Sequence, residues 1–219
     1  MGLKRLVAGL LGFLSVLLLS ISAANADSPV RLDGETLFAT IWKTDVVGVS
    51  GHVVPVYFLD TAHPNNTASF VGLGARLYGG DDDMRVRQEY LLGVGGVQAL
   101  QALGHDFAGM HLNEGHCTFA ALEMLRRGWS RDELAARTLF TTHTPVPAGN
   151  EIHPVDRLVA QGAAVGGLTR EHLTELGGEP FEMTPAALRL SRSVRRLAIL
   201  AVDVVLPEPC RPTIRIACG

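Results

Sequence analysis

Residues 106–145 read DFAGMHLNEGHCTFAALEMLRRGWSRDELAARTLFTTHTP, and this stretch decides the fold. It begins with a short strand candidate, Asp106–Leu112, and ends with a second one, Thr138–Thr142. Between them, three apolar residues recur at the spacing of a helical stripe, namely Phe119, Leu122 and Leu125. Since another helix precedes the first strand, the order helix, strand, helix, strand predicts a parallel sheet with crossover helices, a Rossmann-like α/β layout.

The preceding helix carries an apolar stripe interrupted by glycines. The stripe consists of Leu91, Val94, Val97, Leu100 and Leu103. Gly93, Gly95 and Gly96 lie inside it, and each costs about 1 kcal/mol of helix propensity relative to alanine. Such glycines indicate that another backbone or a ligand comes close to the helix, or that the helix packs closely on a sheet.

Upstream of this helix the sequence changes to β-branched residues and turns. Two strands are predicted there, Leu37–Trp42 and Val53–Leu59, and Pro55 places the second one at a sheet edge or a strand start. Downstream, Ser130 and Glu133 have the spacing of a helical capping box. Beyond Ser193 only one further strand, Leu197–Leu206, is predicted.

The first chemical motif, HLNEGH at residues 111–116, follows the first strand of the parallel pair. Its two histidines are five residues apart, about 140° around a helix, so they do not form a zinc pair of the HExxH type, and no metal is predicted. Asn113 and Gly115 favour a strand-to-helix turn with unusual backbone angles, which would point Glu114 and His116 into a crevice. The alternative is that His116 only caps the helix end.

The second motif, TTHTPVPAGN at residues 141–150, follows the second strand. Hydroxyl groups surround His143, and Thr144 leads into a double-proline loop, a set of donors and acceptors that suits a sugar. A rigid structural loop is the alternative. Because ligands of parallel α/β sheets bind outside the carboxyl ends of the strands, both motifs are expected to form one site.

Composition narrows the function classes. Hydrophobic residues make up 47% of the 219 residues and charged residues 19%, as in globular proteins. The net charge of −3 and the lack of basic, aromatic-interleaved runs exclude a general nucleic-acid binder. The three cysteines, at 117, 210 and 218, form neither a disulfide framework nor a CxxC pair, although a Cys210–Cys218 bridge stays open.

The first 26 residues have the pattern of a secretory signal. Lys4 and Arg5 precede an apolar run, and Ala24-Asn25-Ala26 is a small-x-small cleavage pattern. An uncleaved anchor is the alternative, but the run is short for a membrane span. We therefore expect a secreted or periplasmic protein with no membrane attachment after signal removal.

Five blocks together give the sequence a family resemblance. It resembles the short, bacterial and archaeal type of α-glucan (glycogen or maltodextrin) phosphorylase, a retaining glycosyltransferase of the GT-B fold. The similarity runs from about Leu37 to Arg192. The blocks are VYFLDT (56–61), LYGGDDDMRVRQEYLLGVGGVQALQALG (77–104), HLNEGHCTFAALE (111–123), FTTHTPVPAGN (140–150) and FEMTPAALRLSR (181–192).

The resemblance implies phosphorolysis of α-1,4-glucans to glucose 1-phosphate, with phosphate as co-substrate and a pyridoxal phosphate cofactor whose own phosphate relays a proton. It implies that His143 is the active-site histidine, contacting the donor glucosyl unit near its 6-hydroxyl, and that Thr144 shapes the sugar pocket. Asn113, Glu114 and His116 would lie at the edge of the same cleft.

The sequence also departs from the family. The cofactor lysine and the phosphate-binding residues of the family lie in a C-terminal domain that has no counterpart here, and the glycine-rich GGLG loop is missing. We therefore predict a signal-like segment (1–26), part of a phosphorylase N-terminal domain (27–192) and a divergent tail (193–219). Such a chain would be a truncated phosphorylase without full activity, a secreted glucan-binding module, or one part of a split enzyme. The family itself is cytoplasmic.

Overall fold

A computed structural model of the chain describes residues 18–75, 80–143, 150–163, 168–191 and 193–196. Within these ranges the strands form three sheets. One is an antiparallel three-stranded sheet, one is a parallel three-stranded sheet, and one is a two-stranded antiparallel ladder. No helix in the described part of the chain is long and apolar enough to cross a membrane.

The antiparallel sheet is built from consecutive strands. These are β1 (Leu18–Leu32), β2 (Glu35–Val47) and β3 (Val53–Asp60), in that order across the sheet. Both strands predicted upstream are confirmed, and β3 is an edge strand, as Pro55 indicates. β1 includes residues 18–26 of the predicted signal segment, whose cleavage stays a prediction, and residues 1–17 lie outside the described ranges.

The parallel sheet confirms the predicted Rossmann-like α/β layout. Strands β4 (Met110–Asn113) and β5 (Thr138–Thr142) are parallel neighbours. Helices α4 (Thr118–Arg126) and α5 (Arg131–Arg137) connect them, and the capping box at Ser130 begins α5. The predicted strand start at Asp106 is wrong, because this exposed charged residue lies in a loop and strands of parallel sheets are normally buried.

The third strand of the parallel sheet was not predicted. β8 (Ser193–Arg196) pairs with β5 on the side opposite β4. The predicted strand Leu197–Leu206 and the Cys210–Cys218 bridge lie outside the described residues.

The glycine-containing helix is continuous but changes its winding. It consists of α2 (Asp82–Tyr90), a π-helical turn (Leu91–Gly95) and α3 (Gly96–Ala102). A Cβ on Gly93 would lie 2.6 Å from the backbone nitrogen of Ala120 in α4. The predicted close approach of another backbone is therefore confirmed, and the backbone belongs to a helix rather than to the sheet.

The remaining elements surround this core. The buried apolar side chains of β1, β2, α2, α3, α4 and α5 form one cluster with those of the C-terminal helices. These further elements are α1 (Ala68–Val71), β6 (Ile152–His153), α6 (Val155–Ala160), α7 (Arg170–Gly177), β7 (Phe181–Glu182) and α8 (Met183–Arg189).

Candidate active site at the strand ends

The two chemical motifs meet at the carboxyl ends of β4 and β5. In the parallel ladder Asn113 is the register partner of Thr141, so Glu114 and Thr142 follow side by side. The backbone N–H of Glu114 donates to the carbonyl oxygen of Thr141 at 2.8 Å. We call Asn113, Glu114, Thr142 and His143 the strand-end site.

Glu114 joins the two strand ends through its carboxylate. One oxygen accepts the backbone N–H of His143 at 2.5 Å, and the other accepts the hydroxyl of Thr142 at 3.0 Å. The residue is 9% exposed. Hydrogen bonds to a charged acceptor contribute more than neutral ones, about 1.5–3 kcal/mol each, so this carboxylate fixes the first residue after β5.

The backbone of Glu114 has a conformation that side chains rarely adopt. Its φ is +69° and its ψ is 166°, a region populated almost entirely by glycine. The expectation that Asn113 and Gly115 would take the unusual angles is wrong. Gly115 serves close packing instead, because a Cβ there would lie 2.9 Å from Oγ1 of Thr184 at the start of α8.

His143 is exposed, and its ring is held from one side. Its Nε2 lies 2.9 Å from Oδ1 of Asn113. Together with the bond from its backbone N–H to Glu114, this contact places the imidazole above the ends of both strands. Thr144, which the sequence assigns to the sugar pocket, lies outside the described residues.

The two histidines of the first motif, His111 and His116, occupy different environments. His111 lies within β4, and its Nε2 is 2.9 Å from Oγ1 of Thr141. His116 is half-buried in a 3₁₀ turn, Gly115–Cys117, after Glu114. Burial lowers its pKa, the Arg85 guanidinium lowers it further, and the Glu114 carboxylate opposes the shift. His116 is therefore neutral at pH 7.

Several curated relatives of this sequence are named maltodextrin or glycogen phosphorylase. The chain is 37% identical over 160 residues to the maltodextrin phosphorylase of Thermococcus litoralis, a match that covers 67% of this chain and 19% of the relative. It is 34% identical over 212 residues to the glycogen phosphorylase of Mycobacterium tuberculosis, covering 82% of this chain and 24% of the relative. This chain is phosphorylase-like.

The chain covers only part of the length of these relatives. A third relative, the glycogen phosphorylase of Aquifex aeolicus, is 31% identical over 77% of this chain and 26% of its own length, so the chain spans about a fifth to a quarter of these three relatives. No family model matches the sequence.

A solved structure supports the fold. The catalytic domain of starch synthase IV from Arabidopsis thaliana, bound to ADP and acarbose, superposes with a TM-score of 0.59 at 19% identity, covering 81% of this chain and 34% of that one. The described part of the chain therefore has the α/β fold of one portion of a GT-B structure, as the resemblance implied.

Sequence reasoning missed an ionic cluster around the buried residues Glu89 and His153. Nε2 of His153 is 3.0 Å from a carboxylate oxygen of Glu89. The Arg85 Nε lies 3.3 Å from the other oxygen of Glu89 and 2.7 Å from Glu151. Glu89 is 3% exposed and His153 4%. Arg85 and Glu89 lie in α2, whereas His153 lies in β6 and Glu151 directly precedes this strand. Because the residues come from distant segments, no local sequence pattern could indicate the cluster.

Arg85 compensates the negative charge of the carboxylates in this cluster. Glu89, Glu151 and His153 offer one ligand atom each within 4.8 Å of one another, a set that could hold a metal ion. The Arg85 guanidinium contacts both carboxylates, however, and already supplies a positive charge there. The cluster is thus a buried ion network that ties the residues after position 149 to α2.

The imidazole of His153 is neutral in this network. Burial is the main cause that lowers its pKa to about 4, and the Arg157 and Arg85 guanidinium groups act in the same direction. Asp82 opposes the shift. The contact with Glu89 also favours a protonated ring, but that carboxylate is shared with Arg85. We therefore expect the downward direction to hold.

Proposed function

We propose that this chain forms the sugar-facing side of an α-glucan phosphorylase cleft and binds α-1,4-glucans there. In this proposal His143 contacts the glucosyl unit, with Thr144 beside it and Asn113 and Glu114 holding it in place. His116 lines the cleft edge. The observation that carries the proposal is the Glu114 carboxylate, which joins the ends of β4 and β5 beneath an exposed His143, within a stretch similar to phosphorylases.

The chemistry of the strand-end site suits a neutral, hydroxyl-rich ligand. Its exposed group is an imidazole, and the Glu114 carboxylate accepts hydrogen bonds from a hydroxyl and a backbone N–H. A sugar hydroxyl both donates and accepts hydrogen bonds and needs no compensating charge. An anionic ligand such as phosphate would find neither an arginine nor a lysine among these four residues.

We further propose that the chain alone does not catalyse phosphorolysis. The family's pyridoxal phosphate requires a lysine, and the sequence holds two, Lys4 and Lys43. Lys43 lies in β2, in the antiparallel sheet, and pairs with Asp45 at 3.1 Å. Lys4 lies outside the described residues. Neither lysine lies at the strand-end site in the described residues, and we propose that phosphorolysis needs the C-terminal phosphorylase domain of the family.

A secreted glucan-binding module is the second candidate. The signal-like segment at 1–26 favours it, because the phosphorylase family acts in the cytoplasm while this segment would direct export. Both candidates share the same sugar site. They differ in whether a C-terminal phosphorylase domain restores turnover.

The test combines a binding and a turnover measurement on the full chain. We expect calorimetry with maltoheptaose to detect binding that His143→Ala abolishes. His52→Ala, which changes an exposed histidine in the β2–β3 hairpin, should leave binding intact. We expect no glucose 1-phosphate from maltodextrin, phosphate and pyridoxal phosphate. Absence of sugar binding in the folded wild type would refute the proposal, and turnover by the chain alone would refute its second part.

A further inference from the structure

We propose that Asn113 is a positioning residue that fixes the tautomer of His143, with the proton on Nε2 and the lone pair of Nδ1 presented to the ligand. The inference deepens the proposed function, and only its last step, the identity of the ligand, rests on it. It starts from one contact, the 2.9 Å separation between Oδ1 of Asn113 and Nε2 of His143.

An amide oxygen can only accept a hydrogen bond, so the nitrogen that faces it must carry the proton. In a neutral imidazole the other nitrogen is then an acceptor. Within the described residues, Nδ1 of His143 makes no hydrogen bond, and the side chain is exposed. Among the described residues, no hydrogen-bond donor therefore occupies the acceptor nitrogen.

The position of the ring is fixed independently of its tautomer. The Glu114 carboxylate accepts the backbone N–H of His143 and the hydroxyl of Thr142. Asn113 and Glu114 thus have different roles. Asn113 selects the nitrogen that carries the proton, and Glu114 holds the backbone from which the ring projects. Both residues come from the end of β4, about 30 residues before His143 in the chain.

This arrangement sets a condition on the ligand. A group that contacts Nδ1 must donate a hydrogen bond to it. A sugar hydroxyl meets the condition, whereas a carboxylate, which only accepts, does not. The strand-end site therefore selects hydroxyl donors over carboxylates before any charge is considered.

The test is a ring ¹⁵N–¹H correlation experiment on the full chain at about pH 8.5, well above the usual range of imidazole protonation. Loss of one set of signals in His143→Gln assigns the ring. We expect the His143 proton on Nε2, protected from exchange with water. Asn113→Ala should increase its exchange about fivefold, the equivalent of one hydrogen bond of about 1 kcal/mol. Asn113→Asp should retain protection, because a carboxylate also accepts.

Tyr57→Phe is the matched control. It removes the 2.7 Å contact between the Tyr57 hydroxyl and Nε2 of His105, and it should change His105 signals without altering those of His143. A wild-type proton on Nδ1 would overturn the inference, as would unchanged exchange in Asn113→Ala. Addition of maltoheptaose should shift Nδ1 more than Nε2. An absent response to the sugar, with the tautomer as expected, would count against the proposed function alone.

Discussion

Substitutions of Glu114 separate two opposing contributions of one residue. Its carboxylate accepts two hydrogen bonds that stabilise the fold, while its φ of +69° is unfavourable for any residue with a Cβ. Glu114→Ala loses the hydrogen bonds and keeps the backbone cost. With each bond to a charged group contributing about 1.5–3 kcal/mol, and partial solvent access at His143, we expect a loss of about 2–4 kcal/mol.

Two further variants at this position sharpen the prediction. Glu114→Gly loses the same bonds but relieves a backbone cost of about 1–3 kcal/mol, so we expect it to be more stable than the alanine variant by that amount. Glu114→Gln can accept from the N–H of His143 and donate to the Thr142 hydroxyl, which rotates to suit, so its loss should stay near 1 kcal/mol.

Urea unfolding of the four proteins, followed by far-ultraviolet circular dichroism, measures these differences, with the slope of the transition checked for constancy. The expected order of stability is wild type, glutamine, glycine, alanine. An alanine variant as stable as the wild type would refute the structural role of the carboxylate. A glycine variant no more stable than the alanine variant would show that the backbone at this position carries no cost.

Three other predictions concern the core, the buried histidine and a helix cap. Gly93→Ala should lower the free energy of unfolding by about 1–3 kcal/mol, because its Cβ would meet the α4 backbone at 2.6 Å, whereas Gly72→Ala, with no atom within 4 Å, should change it little. The pKa of His153 is about 4 in the fold and 6.5 in the unfolded chain, so the unfolded state takes up the proton first; stability should be full above about pH 6.5 and fall by up to about 3 kcal/mol towards pH 4. His153→Gln should remove that part of the wild-type pH dependence, and an identical pH profile would contradict it. Ser130→Ala should cost about 1 kcal/mol through the lost cap of α5, measured by thermal unfolding, and a melting temperature equal to that of the wild type would exclude the cap's contribution.

The sequence allowed the scaffold of the site to be predicted better than its details. Alternating helices and strands predict that β4 and β5 are parallel neighbours, and that alone brings Asn113 and His143 to one edge. The turn chemistry was predicted for the wrong residues, because glycine and asparagine are the usual carriers of a positive φ, and no local rule indicates that hydrogen bonds from residues 28 and 29 positions away would impose one on Glu114.

The same distinction explains the ionic cluster and the third strand. Glu89 and His153 are 64 residues apart, and each looks like an ordinary polar residue in its own segment. Their pairing follows from tertiary packing of α2 against β6, which periodicity does not encode. β8 was missed because its four residues, SVRR, include two arginines and no alternation that indicates a buried strand.

The geometry of the strand-end site bears on the proposed separation of sugar binding from phosphorolysis. The hydrogen bonds of His143 within the described residues go to Asn113, the last residue of β4, and to Glu114, which directly follows it. Among the described residues, preorganisation of the imidazole therefore depends on the ends of β4 and β5. Phosphorolysis, by contrast, needs positive charge for phosphate and a lysine for the cofactor. The strand-end site, Asn113, Glu114, Thr142 and His143, contains neither an arginine nor a lysine. Sugar affinity should accordingly survive in a chain that has no turnover, and adding a C-terminal phosphorylase domain should raise turnover without changing the tautomer of His143.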